Sequence, residues 1–151
     1  MGIFSGIEKA EISERGKYIS PGFVGKLKVR KTLAKDSVKS GLAFIVEFDV
    51  LESNLDEHPV GSSATWFQKM QDKTVAFPAI KAFVAAVAGF HPGDKAGIEA
   101  EIGPNMSALL DDATENETSN ALVGQEVKCE TFSTKTKKGF DFTAHKWTPV
   151  G

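Results

Sequence analysis

The stretch AFPAIKAFVAAVAGF, residues 76–90, decides the fold class. Its apolar residues do not alternate as they would in a strand. Pro78 suits a first helical turn, Ala and Val dominate the body, and Gly89 suits a helix stop. Only Lys81 is charged, so this helix is expected in the core, with cover on most of its sides.

Working outward toward the N-terminus, SSATWFQ, residues 62–68, reads as a strand rich in Thr and aromatics. Ser63, Thr65 and Phe67 share one face, and Ala64, Trp66 and Gln68 the other. One of Trp66 and Phe67 therefore faces outward, and the phase does not say which. Before it, LAFIVEFDVLE, residues 42–52, sets Leu42, Phe44, Val46, Phe48 and Val50 against Glu47 and Asp49. Earlier still, in residues 23–33, Leu27 and Val29 alternate with Lys26, Lys28 and Arg30, predicting a strand with its basic groups on the wet face.

Toward the C-terminus, residues 94–122 are acidic and weakly patterned, with MSALLDDA as a short helix and DATENETSN as an exposed loop. Residues 124–148, GQEVKCETFSTKTKKGFDFTAHKWT, then read as a hairpin. Setting Thr134 opposite Gly139 puts Thr131 opposite Phe142 and Cys129 opposite Ala144 on the inner side. Phe132 and Lys128 are then outside, as are His145 and Trp147. Phe23, Phe44, Phe48, Phe77, Phe83, Phe140 and Phe142 are assigned to the core.

The order strand, strand, strand, helix, strand, strand predicts a mainly β chain: a five-stranded OB-fold Greek-key barrel with an apolar helix between strands three and four and a short helical, acidic insert. A β-sandwich would need about two more strands, and an α+β layer would lay the helix across an open sheet. The barrel is preferred because it covers the apolar helix. Residues 1–151 read as one domain, with 1–16 a loose N-terminal arm and 94–122 the acidic insert. At this length a single core buries about 70% of the unfolded chain's surface, so no disulfide or metal is needed for stability. The lone Cys129 fits a reducing compartment, and no apolar run is long enough to span a membrane.

The net charge of −2 argues against a nucleic-acid binder only until it is divided along the chain. Residues 24–40 hold Lys26, Lys28, Arg30, Lys31, Lys35 and Lys39 against Asp36, a net +5. Residues 128–146 carry +3, and residues 94–126 carry −7. Binding a single strand without reading its sequence takes cations along a groove and flat rings for bases to stack on. Lys26, Lys28 and Arg30 recur roughly 7 Å apart at strand rise, near the spacing of extended phosphates. Lys31 follows them, and Lys135, Lys137 and Lys138 lie in the hairpin loop. Trp147 and Phe132, with Trp66 or Phe67, are the candidate stacking rings, and His145 lies beside Trp147. Tyr18, before Pro21 and Gly22, either faces the groove or packs the start of the first strand, and it is assigned to packing.

The runs GKYISPGFVGKLKV (16–29), FIVEFDVLES (44–53), PVGSSATWFQ (59–68) and AFPAIKAFVAAVAGF (76–90) resemble phage-encoded single-stranded DNA-binding proteins with an OB-fold. The likeness covers most of residues 16–147 as a diffuse pattern. It implies a nonenzymatic role in phage DNA replication or recombination in the host bacterial cytoplasm, with single-stranded DNA as ligand. It also implies phage or host replication and recombination proteins as partners, and self-association. Many such proteins recruit partners through an acidic tail, whereas this chain ends in AHKWTPVG, so that mode of recruitment is not expected. Two other classes compete. A phage structural or interaction module would use the acidic loop as its docking surface. A small metal-dependent nuclease would use Glu47 and Asp49, but His58, His91 and His145 lack metal-binding spacing. The expectation is no enzyme activity, no cofactor and no metal.

Overall fold

The computed structural model describes residues 17–37, 41–70, 73–135, 139 and 141–150. The elements in order are β1 (Lys17–Tyr18), β2 (Val24–Ser37), β3 (Gly41–Ser53), β4 (Ser63–Lys69), α1 (Lys73–Val87), α2 (Lys95–Glu101), a 3-10 turn (Gly103–Asn105), α3 (Met106–Glu115), β5 (Glu126–Lys135) and β6 (Asp141–Thr148). The sheet order is β1-β4-β3-β2-β5-β6. Five long strands form an antiparallel sheet, and the two-residue β1 runs parallel beside β4.

β2 and β3 form the longest ladder, from Gly25 opposite Ser53 to Ser37 opposite Gly41. Its register shifts twice, between Lys26 and Leu27 and between Val29 and Lys31. At the first shift the strands come so close that a Cβ on Gly25 would collide with the Glu52 carbonyl, so glycine is required there. The second shift strands Arg30 as the extra residue of a bulge. β2 leaves β5 at about the same place. The Val29 N–H donates to Gln125, the Gly124 N–H donates to the Val29 carbonyl, and the Thr32 N–H donates to Glu117. Beyond the bulge, the end of the acidic insert thus replaces β5 as β2's partner. A buried hydroxyl pins this junction: Thr32 Oγ1 donates to the Ala113 carbonyl at 2.6 Å and accepts from Asn120 Nδ2 at 2.8 Å. The insert is more helical than its weak pattern predicts. Asp94 starts α2 by accepting from the Gly97 N–H, and α3 runs through MSALLDDATE.

The core draws on the inward residues of every long strand, and its centre is aromatic. Trp147 of β6 lies 4.9 Å from Trp66 of β4, ring centre to ring centre, although three strands separate them in the sheet. The sheet therefore curls until its two ends meet through side chains, giving a barrel-like body. Phe83 of α1 enters the same cluster, 4.9 Å from Trp147 and 5.2 Å from Trp66, and Phe48 lies 5.9 Å from Phe83. Gly89, with φ near +96°, ends the helix: its N–H bonds to Ala86 and the Phe90 N–H to Ala85.

Two expectations fail here, and one choice left open by the sequence is settled. The hairpin pairs Thr134 with Phe142 and Cys129 with Trp147, three residues from the predicted register. An odd shift exchanges the faces of a strand, so Trp147, predicted outside, is 2% exposed, while Phe142, predicted inside, is 47% exposed. Burying an indole among Phe48, Trp66 and Phe83 outweighs the shorter turn. Trp66 is buried as well, which settles its strand's phase and makes Phe67 the outward ring of the pair. Finally, α1 begins at Lys73, three residues before the expected start, so Pro78 lies within it and Phe77 is 52% exposed rather than in the core. Phe140 lies outside the described residues.

Trp147→Ala is expected to destabilise the domain by about 3–5 kcal/mol, read as a lower midpoint in urea unfolding followed by far-UV circular dichroism. A loss below about 1 kcal/mol would mean that this ring does not hold the ends of the sheet together.

Candidate nucleic-acid interface

Sequence alternation makes the β2 cations a stripe, and the fold neutralises most of it. Lys26 lies between Glu126 at 3.4 Å and Glu52 at 3.8 Å. Arg30, turned by the bulge, reaches Asp49 at 3.8 Å and Glu47 at 4.0 Å, and donates to Ser63 Oγ at 2.9 Å. Lys31 pairs with Glu117 of the insert at 3.4 Å. Of the five β2 cations, Lys28 and Lys35 are exposed with no ion pair among the described residues, and the cross-strand neighbours of Lys28 are Asp49 and Glu126. Much of the positive charge of residues 24–40 is thus met within the fold, because five carboxylates from β3, β5 and the insert lie against Lys26, Arg30 and Lys31. Glu47 is itself buried beside Arg30. That places the suggested Glu47 and Asp49 pair on one guanidinium. Among the described residues no group of three His, Cys, Asp or Glu is placed to hold a metal ion.

The rings separate into two places. On the outer face of the β5–β6 hairpin, Phe132 is 52% exposed, and Phe142 projects from the same face one position along. Lys146 is exposed on that face, and Lys135 is exposed at the hairpin's end. Lys137 and Lys138 lie outside the described residues.

The second place is the seam where the two ends of the sheet approach. A cleft of about 380 Å³ is lined by Tyr18 and Ile19, by Thr65, Phe67 and Lys69 of β4, and by Thr143 and His145 of β6. It exists because β4, once Trp66 is locked inside, must turn Thr65, Phe67 and Lys69 the other way. Tyr18 and Phe67 meet edge to face at 6.3 Å, with Tyr18 58% exposed. His145 stacks on Trp147 at 5.6 Å with only 12° between the planes, and lies 6.0 Å from Trp66. The seam therefore brings two of the predicted residues, Phe67 and His145, together with Tyr18 and Lys69. Sequence reasoning preferred the strand start for Tyr18, with the groove as its alternative, and passed over Lys69. Both become legible only once the β4 phase is known. Trp66 and Trp147, predicted as platforms, instead form the floor behind His145.

Burial lowers the pKa of the His145 imidazole to about 4, against a smaller opposing effect of the Thr143 backbone. Cys129 is buried, and burial pushes its thiol well above the usual cysteine range, helped by Glu130. It is an inert core residue. A larger pocket of about 520 Å³ between α1, α3 and the ends of β2 and β3 is apolar, lined by Leu42, Phe44, Met70, Phe77, Met106 and Leu110 among others. No helix among the described residues is long and apolar enough to cross a membrane. Comparison of the chain with protein-family models and with curated proteins found no match.

The His145 shift makes stability depend on pH. Its folded value lies below the ordinary 6.5, so between these values the unfolded chain binds the extra proton. Stability from this residue is complete above about pH 6.5 and is lost as pH falls toward 4. Urea midpoints of wild type and His145→Gln, measured from pH 7 to 4, are expected to show a drop in wild type that is reduced in the variant. Equal pH slopes would contradict this assignment.

Proposed function

We propose that this chain binds single-stranded DNA without strong sequence dependence, on an OB-fold barrel, through base stacking at the seam and on the hairpin. The supporting topology is the strand order β4-β3-β2-β5-β6 with helical segments between β4 and β5, the connectivity of a Greek-key barrel of this type. The observation that carries the reading is the convergence of Tyr18, Phe67 and His145 with Lys69 at an open cleft. Exposed rings cost solvation unless something covers them, and every base offers a face to cover them with. Phe132 and Phe142 extend the same chemistry to the hairpin.

Phosphate contacts are the weaker half of the proposal. Three of the five β2 cations already have carboxylate partners, so a strand gains few charges unless it displaces acids. The binding is therefore stacking-dominated, with Lys69, Lys28 and Lys146 among the exposed cations. From the resemblance we also propose a place in phage DNA replication or recombination, in host cytoplasm, alongside phage or host proteins of those processes and with self-association. This is a binding role with no enzyme activity.

Fluorescence anisotropy with labelled oligo-dT and with duplex of equal length tests this. Single-strand binding at micromolar protein is expected, with duplex much weaker; no binding of oligo-dT would overturn the proposal. Tyr18→Ala and Phe67→Ala are each expected to cost about 1–3 kcal/mol of affinity. Plotted logarithmically against salt, affinity should fall with a slope no steeper than about −2, three contacts' worth at about −0.7 each. A slope near −5 would show that the strand cations carry the binding after all.

A further inference from the structure

We infer that the apolar pocket between α1 and α3 is a docking groove for a basic amphipathic helix of a partner protein. The pocket has a volume of about 520 Å³, and each of the two helices turns one face to it. From α1 come Phe77, Ile80 and Lys81, three and four residues apart. From α3 come Met106 and Leu110, with Ser107, Asp111 and Thr114 beside them at the same spacing. Leu42 and Phe44 of β3 and Met70 just past β4 complete the apolar lining. Leu42 and Phe77 line the pocket yet are 44% and 52% exposed, so its apolar surface runs out to solvent. Such a surface fits a partner larger than the pocket better than an enclosed small molecule. Met70 and Met106 supply side chains that can re-pack around a guest.

The lining face of α3 runs from Met106 to Thr114, about 12 Å at helical rise, which is the length of two turns of a guest helix. A guest with apolar residues at i, i+3 or i+4, and i+7 presents one stripe of that length. Charge then selects its polar face. Among the described lining residues Lys81 alone is a cation, and Glu99 pairs with it. Asp111 lines the pocket, and Glu115 follows one turn later along α3. Across α2 and α3, Glu101, Asp111, Asp112 and Glu115 make no ion pair among the described residues, against Lys95 alone. A guest with Lys or Arg flanking its apolar stripe meets these carboxylates, and an acidic guest is repelled. A second copy of this chain seated by the same face would set carboxylates against carboxylates.

The test uses the full chain with isotope-labelled methionine methyl groups and three synthetic peptides of about twelve residues, long enough for the groove. One carries a Leu stripe with Lys on its polar face, the second has Glu in place of Lys, and the third scrambles the first so that no stripe remains. The Leu–Lys peptide is expected to shift the Met70 and Met106 methyl resonances together, a reading that needs no variant to fold. It is expected to bind at least about tenfold tighter than the Leu–Glu peptide at about 50 mM salt, with the gap narrowing at about 500 mM. Phe77→Ala, at an exposed position, is expected to weaken the Leu–Lys peptide at least about fivefold. Asp111→Asn with Glu115→Gln is expected to bring the Lys and Glu peptides within about threefold of each other. Methionine methyls that stay in place with the Leu–Lys peptide would overturn the inference, as would equal affinity for the Lys and Glu peptides. Equal binding of the scramble would reduce the contact to charge alone and overturn it too. A dimer of the chain by analytical ultracentrifugation that Phe77→Ala abolishes would overturn it in favour of a second copy.

Discussion

The contact between Trp147 and Trp66 is the constraint on which the rest depends. A five-stranded antiparallel sheet with this order has two ends that no ladder joins among the described residues, and an unjoined sheet leaves both apolar faces partly wet. Two indoles 4.9 Å apart, seated on Phe83 from the helix and Phe48 from β3, draw those ends together. The register of the hairpin follows, because Trp147 must arrive on the inner face. The phase of β4 follows for the same reason, since Trp66 inside forces Phe67 outside.

The cleft is a by-product of that closure. Side chains join the two ends of the sheet in the core, so the outer seam stays open between β4 and β6. The residues on either side of the core rings are left lining a gap with stacking surfaces and a few polar groups. His145 shows the coupling most clearly: it stacks on the core indole on one side and lines the cleft on the other, and burial keeps it uncharged. Core packing and the candidate site are thus built from adjoining residues of two strands.

Much of this was legible in the sequence wherever the physics is local. Alternation in residues 42–52 and 126–132 predicts strands β3 and β5 and their inner faces, and Gly89 marks the end of α1. Alternation did not separate Trp66 from Phe67 or orient Trp147, because those choices depend on what lies across the barrel. The β3 pattern hid a further fact. Ala43 and Ile45, on the face read as wet, are fully buried, with Leu33 and Phe67 as Ile45's cross-strand neighbours. The charge reading erred for a related reason: summing along the chain counts Lys26, Arg30 and Lys31, but their partners Glu52, Glu126, Asp49, Glu47 and Glu117 arrive from elsewhere in the sequence. A bulge that redirects Arg30 leaves no trace in a period-two pattern.

The most direct test of the account is where a bound strand touches the protein. Photocrosslinking a short oligonucleotide carrying 5-iodouracil, followed by mass spectrometry of the adducts, reports those residues. The account predicts adducts at Tyr18, Phe67 or His145, with any further adducts at Phe132 or Phe142. Adducts found only elsewhere, on the β2 lysines or in the apolar pocket between α1 and α3, would contradict it.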